Sequence, residues 1–167
     1  MTPIEPESLG RFYQEHAPAL RLYARQWPGK SEDLVHDAFV KLAQQSPPPL
    51  AVVPWLYRVV RNAAVAAARA AARRRRRESQ VSNPEAWYVA LDDHLDAQDA
   101  VRLLAALPLE LREVIVSRIW GGLTFEEIAQ LVGCSLPTAH RRYQAGLNEL
   151  TERLKGQWTP TRPLPTK

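Results

Sequence analysis

Apolar positions recur at intervals of three and four along most of the chain, and sustained period-two alternation is absent. The pattern predicts an all-α protein. Leu9, Phe12, Tyr13, His16, Leu20, Tyr23 and Trp27 define a first helix, which Pro18 should kink or divide. Ser31 is placed to cap a second, whose first turn holds Glu32 and Asp33 and whose stripe is Leu34, Val35, Ala38, Phe39, Leu42 and Ala43. The run "SPPPLAVVP" reads as a stiff turn. A long helix should follow from Trp55 to about Arg74, with Leu56, Val59, Val60, Ala63, Ala67 and Ala71 on one side. Arg58, Arg61, Asn62, Arg69, Arg73 and Arg76 project to the other.

Helical spacing resumes near Asp99. Val101, Leu104 and Ala105 pattern one helix, and Leu111, Val114, Ile115 and Ile119 another after Pro108, stopped by Gly121-Gly122. The strongest local signal lies in "LTFEEIAQLVGCSLPTAHRRYQAGLNEL". Thr124 and Glu127 have capping-box spacing, and Leu123 with Ile128 forms the matching staple. Phe125, Ile128, Ala129 and Val132 are expected to face inward. Gly133 is placed to end the helix in the left-handed conformation, and Ser135 caps the next, where Pro137 is tolerated in the first turn. On that second helix Ala139, Tyr143, Leu147, Leu150 and Leu154 form the apolar stripe. Leu136, Pro137, His140, Arg141 and Gln144 share the opposite side. Two short helices at a tight corner, the second offering donors near its start, suit a DNA-reading helix-turn-helix.

Charge sharpens this picture. The 167 residues hold 22 Lys and Arg against 18 Asp and Glu, a mild excess that is unevenly spread. Arg58 to Arg77 contains only basic charges, and Glu78 to Asp99 only acidic ones. One part is built to meet a polyanion, the other to solvate, repel or imitate one. The organisation expected is an N-terminal helical domain over 1–75, an arginine-to-acidic linker over 76–98, a helix-turn-helix domain over 99–155 and a flexible tail over 156–167. Within the linker, Trp87, Leu91 and Leu95 could form a short amphipathic helix. Cys134 is the only cysteine and the four histidines fall in separate segments, so no disulfide, metal or cofactor is expected. With no secretory signal and no apolar run that could insert in a bilayer, a cytoplasmic protein is the expectation.

The segment "LPLELREVIVSRIWGGLTFEEIAQLVGCSLPTAHRRYQAGLNEL" resembles the promoter-binding C-terminal domain of bacterial sigma factors of the extracytoplasmic-function (ECF) type. The matching positions are Leu107-Pro108, Arg112, Gly121-Gly122, Glu127-Ile128-Ala129, Ser135 and Thr138. Upstream, "SEDLVHDAFVKLAQQ" and "PWLYRVVRNAA" resemble the family's N-terminal domain. The resemblance implies a non-catalytic subunit that binds core RNA polymerase and directs transcription from promoter DNA. By that resemblance Ser135, Leu136, Pro137, Thr138, His140, Arg141, Arg142 and Gln144 would read the −35 element. Arg58, Arg61, Asn62, Arg69 and Arg73 would approach the −10 element, and Asp33, Leu34, His36 and Asp37 would dock on polymerase. An anti-sigma factor is a further partner that the family often has. The acidic linker would thread the polymerase channel later used by RNA. Three positions depart from the family pattern: Ala43 for a frequent tryptophan, Ala66 for a usual aspartate and Ala145 for a frequent arginine.

Two other readings explain less. A stand-alone helix-turn-helix regulator accounts for the corner but leaves "EDLVHDAF" and "WLYRVVRN" without a role. The acids of "DDHLD" suggest a magnesium cluster of prenyl-transferring enzymes, but the chain offers neither a second acidic motif nor the sequence for a large cavity.

Overall fold

The computed structural model describes residues 4–78 and 101–157, and all regular structure among them is helical. The helices are α1 (Pro6–Ala24), α2 (Ser31–Gln44), α3 (Val52–Glu78), α4 (Leu109–Ile119), α5 (Phe125–Val132) and α6 (Leu136–Gln157). Residues 101–105 are also helical and lead into α4 through the Leu107-Pro108 turn. The expected linker beyond Glu78, with its Trp87, Leu91 and Leu95 helix, and the tail beyond Gln157 lie outside the described residues.

The first three helices pack on one another around Leu20, Tyr23, Val35, Leu42, Leu56 and Val60, all fully buried. The last three pack around Val114, Ile115, Ile128 and Ala139. Burying such side chains stabilises by roughly 1.5–3 kcal/mol each, and this fixes which face of every helix is outward. The two groups also touch: α1 meets α4, α3 meets α5, and their buried side chains form one contiguous cluster.

Several local expectations need correction. Pro18 does not divide α1, which runs unbroken past it. Ser31 is the first residue of α2 rather than its cap; Lys30 holds the cap position, without a side-chain hydrogen bond. Helix α3 starts at Val52, inside the expected stiff turn, because Pro54 falls in the first turn where amides lack helical partners. The same helix continues through the arginines to Glu78. Its alanine-rich body favours helix, and Arg75, Arg76 and Arg77 in the last turn suit the negative end of the dipole. Ile119 and Leu154, expected in apolar stripes, are exposed. Each lies at or near the C-terminal end of its helix.

Candidate polymerase and nucleic-acid interfaces

The corner between α5 and α6 is built by local hydrogen bonds. Thr124 Oγ1 accepts from the Glu127 amide at 3.2 Å, and Glu127 Oε2 accepts from the Thr124 amide at 2.8 Å. This completes the capping box at the start of α5. Gly133 closes α5 at φ 72° and ψ 42°, where a side chain would be strained. Ser135 Oγ then accepts from the Thr138 amide at 3.3 Å, capping α6. Arg118 braces the preceding turn: its Nη1 donates to the Leu123 carbonyl at 2.7 Å, and its guanidinium lies over the Phe125 ring. Replacing Thr124 with alanine is expected to lower stability by about 1 kcal/mol. A thermal melt of Thr124→Ala against wild type checks this.

These caps aim the start of α6 outward. Ser135, Leu136, Pro137, His140, Arg141 and Gln144 are exposed, and Thr138 is half-buried. His140 rests against Phe125, ring centroids 3.9 Å apart, so its base is held by α5 while its edge meets solvent. Arg142 turns back toward α4, with Nη2 3.4 Å from Glu110 Oε2. Further along, Gly146 is buried where α6 crosses α4; a Cβ there would stand 2.9 Å from Ile115 Cγ1. Only glycine lets the two helices approach so closely.

On α3, Arg58, Asn62, Arg69 and Arg73 are exposed along one face. Trp55 is half-buried and packs against the core rather than standing free. Arg61 is the member of the basic set with a different setting. At 100° per residue it lies about 60° to one side of Arg58, toward the C-terminal helices. Its Nε donates to Glu113 Oε1 at 2.5 Å, and its side chain is 26% exposed. The Tyr23 hydroxyl donates to the same oxygen at 2.6 Å. Burial lowers the affinity of Arg61 for its proton, but the hydrogen bond and charge of Glu113 outweigh this and raise its pKa. Burial first, and then Glu113, pushes the Tyr23 hydroxyl well above its ordinary value. Sequence reasoning missed Glu113, which is buried in the middle of α4 and carries no motif.

On α2, Asp33, His36 and Asp37 are exposed and Leu34 is half-buried, so all four border one outward surface. His36 also lines a groove of about 670 Å³ between α1 and α2, whose apolar walls include Leu9, Tyr13, Phe39 and Val40. Arg112, half-buried in α4, donates from Nη1 to the Ala105 carbonyl at 3.2 Å and so ties the 101–105 stretch to α4. Burial lowers its pKa. Among the described residues no group of His, Cys, Asp or Glu could hold a metal ion, and no helix is long and apolar enough to cross a membrane.

An all-helical chain with an arginine-faced long helix in one half and an exposed helix-turn-helix in the other defines a two-module DNA-binding architecture. Residues 12–77 match Sigma-70 region 2, and residues 97–150 match Sigma-70, region 4. The chain belongs to the sigma-70 family of transcription initiation factors, and to its ECF type. No curated protein matches it in sequence. Among solved structures it is similar to the sigma factor RpoE from Bartonella quintana, solved in complex with the anti-sigma factor NepR. That match has 26% identity and a TM-score of 0.70, and covers 91% of this chain and 99% of the other. It is also similar in fold to CnrH, solved with the cytosolic domain of CnrY, at 24% identity and a TM-score of 0.60 over 92% of each chain.

Proposed function

We propose that this protein binds core RNA polymerase and selects promoters by contacting a −10 element through α3 and a −35 element through α6. The observation that carries the reading is the simultaneous exposure of two polar reading faces on modules of the matched family. On α6, His140, Arg141 and Gln144 can address base edges, while the Ser135 and Thr138 hydroxyls at the start of the helix can hydrogen-bond phosphate. On α3, Arg58, Arg69 and Arg73 can neutralise phosphates, and Asn62 can hydrogen-bond a base edge once the strands part. Such a subunit supplies recognition and leaves nucleotide chemistry to the polymerase.

Asp33, Leu34, His36 and Asp37 form the polymerase-docking surface in this reading. An exposed acid beside a half-buried leucine suits a protein partner with basic residues around an apolar spot. The relative solved with NepR supports an anti-sigma factor as a regulatory partner, because its similarity to this chain spans both modules. The cytoplasm is the compartment in which these partners meet.

Asp37→Arg tests the docking surface. Asp37 is exposed, so the variant is expected to keep the wild-type melting temperature. It is expected to lose co-elution with core polymerase on gel filtration, its affinity falling at least 10-fold through like-charge repulsion. Co-elution equal to wild type would remove α2 from the interface.

A further inference from the structure

Phe125 is the first residue of α5, and its ring is held by side chains from both α4 and α6. From α4, the half-buried Arg118 lays its guanidinium over the ring, with Cζ 4.8 Å from the centroid. The same guanidinium donates to the Leu123 carbonyl, so it is fixed as well as close. From α6, Tyr143 meets the ring edge-on, centroids 5.3 Å apart. On this immobilised ring lies His140, at 3.9 Å and with the two planes 33° apart. His140 is exposed, whereas Phe125 is half-buried. Arg141 and Gln144 are the other side chains proposed to address base edges. Among the described residues, neither side chain has a hydrogen-bond or ion-pair partner.

We infer that Phe125, which lies outside the reading face, sets the base preference of His140. The stack fixes the imidazole plane before DNA arrives, so one base pair of the upstream element meets a pre-oriented ring edge. This rests on the proposed base-reading role of α6. Phe125 acts only through His140 and is a positioning residue.

An unsupported histidine on an exposed helix face turns about two side-chain torsions, and its ring sweeps across neighbouring base edges. Such a ring settles on a wrong base almost as readily as on the right one, and binding must freeze it. Stacking removes most of that freedom in the free protein, while the exposed edge of the imidazole stays open to a ligand. Immobilising one side chain in advance is worth about 2- to 10-fold in affinity for the matching base. The supporting ring must itself stay still for this to work. Arg118 supplies that, because a cation is drawn to the electron-rich face of an aromatic ring. An aliphatic side chain at position 125 would fill the same space and offer no flat face.

Two measurements on the full-length chain test the inference. The first is the proton spectrum of histidine-labelled protein without polymerase or DNA, the His140 signals being assigned by their loss in His140→Ala. The ring current of Phe125 should shift the His140 ring protons upfield, and Phe125→Leu should return them to the range of an unstacked histidine. The second uses core polymerase reconstituted with the full chain, and duplexes carrying the upstream element of one protein-dependent start site. Each base pair of that element is changed in turn. His140→Ala should abolish the preference at one base pair, which identifies the pair it reads. There Phe125→Leu should cut the preference about 5-fold, leaving the other base pairs within about 2-fold of wild type. Phe125→Tyr, which keeps a ring face, should retain the preference. In the double variant Phe125→Leu, His140→Ala, the loss of affinity should match that of His140→Ala alone; a merely structural role for Phe125 would make the losses add. If Phe125→Leu proves unfolded by circular dichroism, Phe125→Met replaces the ring with a flexible apolar chain and takes its place.

Unshifted His140 ring protons in otherwise wild-type protein overturn the inference. So does a folded Phe125→Leu or Phe125→Met that keeps the full preference at the His140 base pair, or that weakens discrimination equally at every base pair. Absence of any protein-dependent start site marks failure of the promoter reading instead, and removes the role of the stack in it even where the ring protons are shifted.

Discussion

Ile115→Ala is expected to cost about 2–5 kcal/mol of stability, because it empties a fully buried position where α4 meets α6. The reverse change across the same contact should also destabilise. A methyl on Gly146 would stand 2.9 Å from Ile115 Cγ1 and 3.1 Å from Cδ1, with Leu111 Cβ 3.7 Å away. Overpacking of this kind costs about 1–3 kcal/mol. The two changes should offset each other. In the double variant Ile115→Ala, Gly146→Ala, the new methyl enters space that the isoleucine has left, so the combined loss should fall below the sum by about 1 kcal/mol or more. Urea unfolding of the four proteins closes this cycle. Additive losses would mean that the helices do not cross at this pair, and the orientation of α6 would need revision.

Arg141→Ala is expected to lower affinity for the upstream promoter element by about 10-fold or more. One good bidentate contact to a base is worth about 1–3 kcal/mol of discrimination. Arg141 is exposed on the outer side of α6, so the melting temperature should not move. Affinity for core polymerase should also be unchanged, since the proposed docking surface is on α2. Arg142→Ala provides the contrast. Arg142 leans onto Glu110, a solvent-exposed pair worth at most about 1 kcal/mol, and its loss should weaken DNA binding less than that of Arg141. Footprinting of reconstituted polymerase on one promoter, with each variant in turn, separates upstream contact from assembly. Equal footprints for wild type and Arg141→Ala would take the base-reading role away from this face.

The features that the sequence predicted well are those made by neighbours in the chain. Thr124 and Glu127 satisfy each other's amides, Gly133 takes a positive φ and Ser135 restarts the helix, all within a dozen residues. Such hydrogen bonds depend on local spacing, which can be read directly. The exposed arginine face of α3 follows in the same way from helical period. Features made by distant residues were not legible. Tyr23 and Glu113 meet across 90 positions, and nothing beside either residue announces the other. A glutamate in the middle of an amphipathic helix ordinarily belongs on the solvated side; here two donors from the other module allow it inside. Helical period places Arg61 with its neighbours, since period alone cannot show that a flank of the helix is covered. Gly146 carried no signal either, since a glycine in a helix becomes informative only when the crossing partner is known. The early start of α3 was hidden by proline-rich sequence that normally marks a turn.

A subunit that gives core RNA polymerase its choice of promoter must create start sites that the polymerase alone does not use. The most direct measurement is sequencing of transcript 5′ ends made on a fragmented genomic library by core polymerase with and without the full-length protein. A limited set of start sites that depend on the added protein is expected, each preceded by two short shared elements at a constant separation. Start sites indistinguishable from those of core polymerase alone would contradict that role.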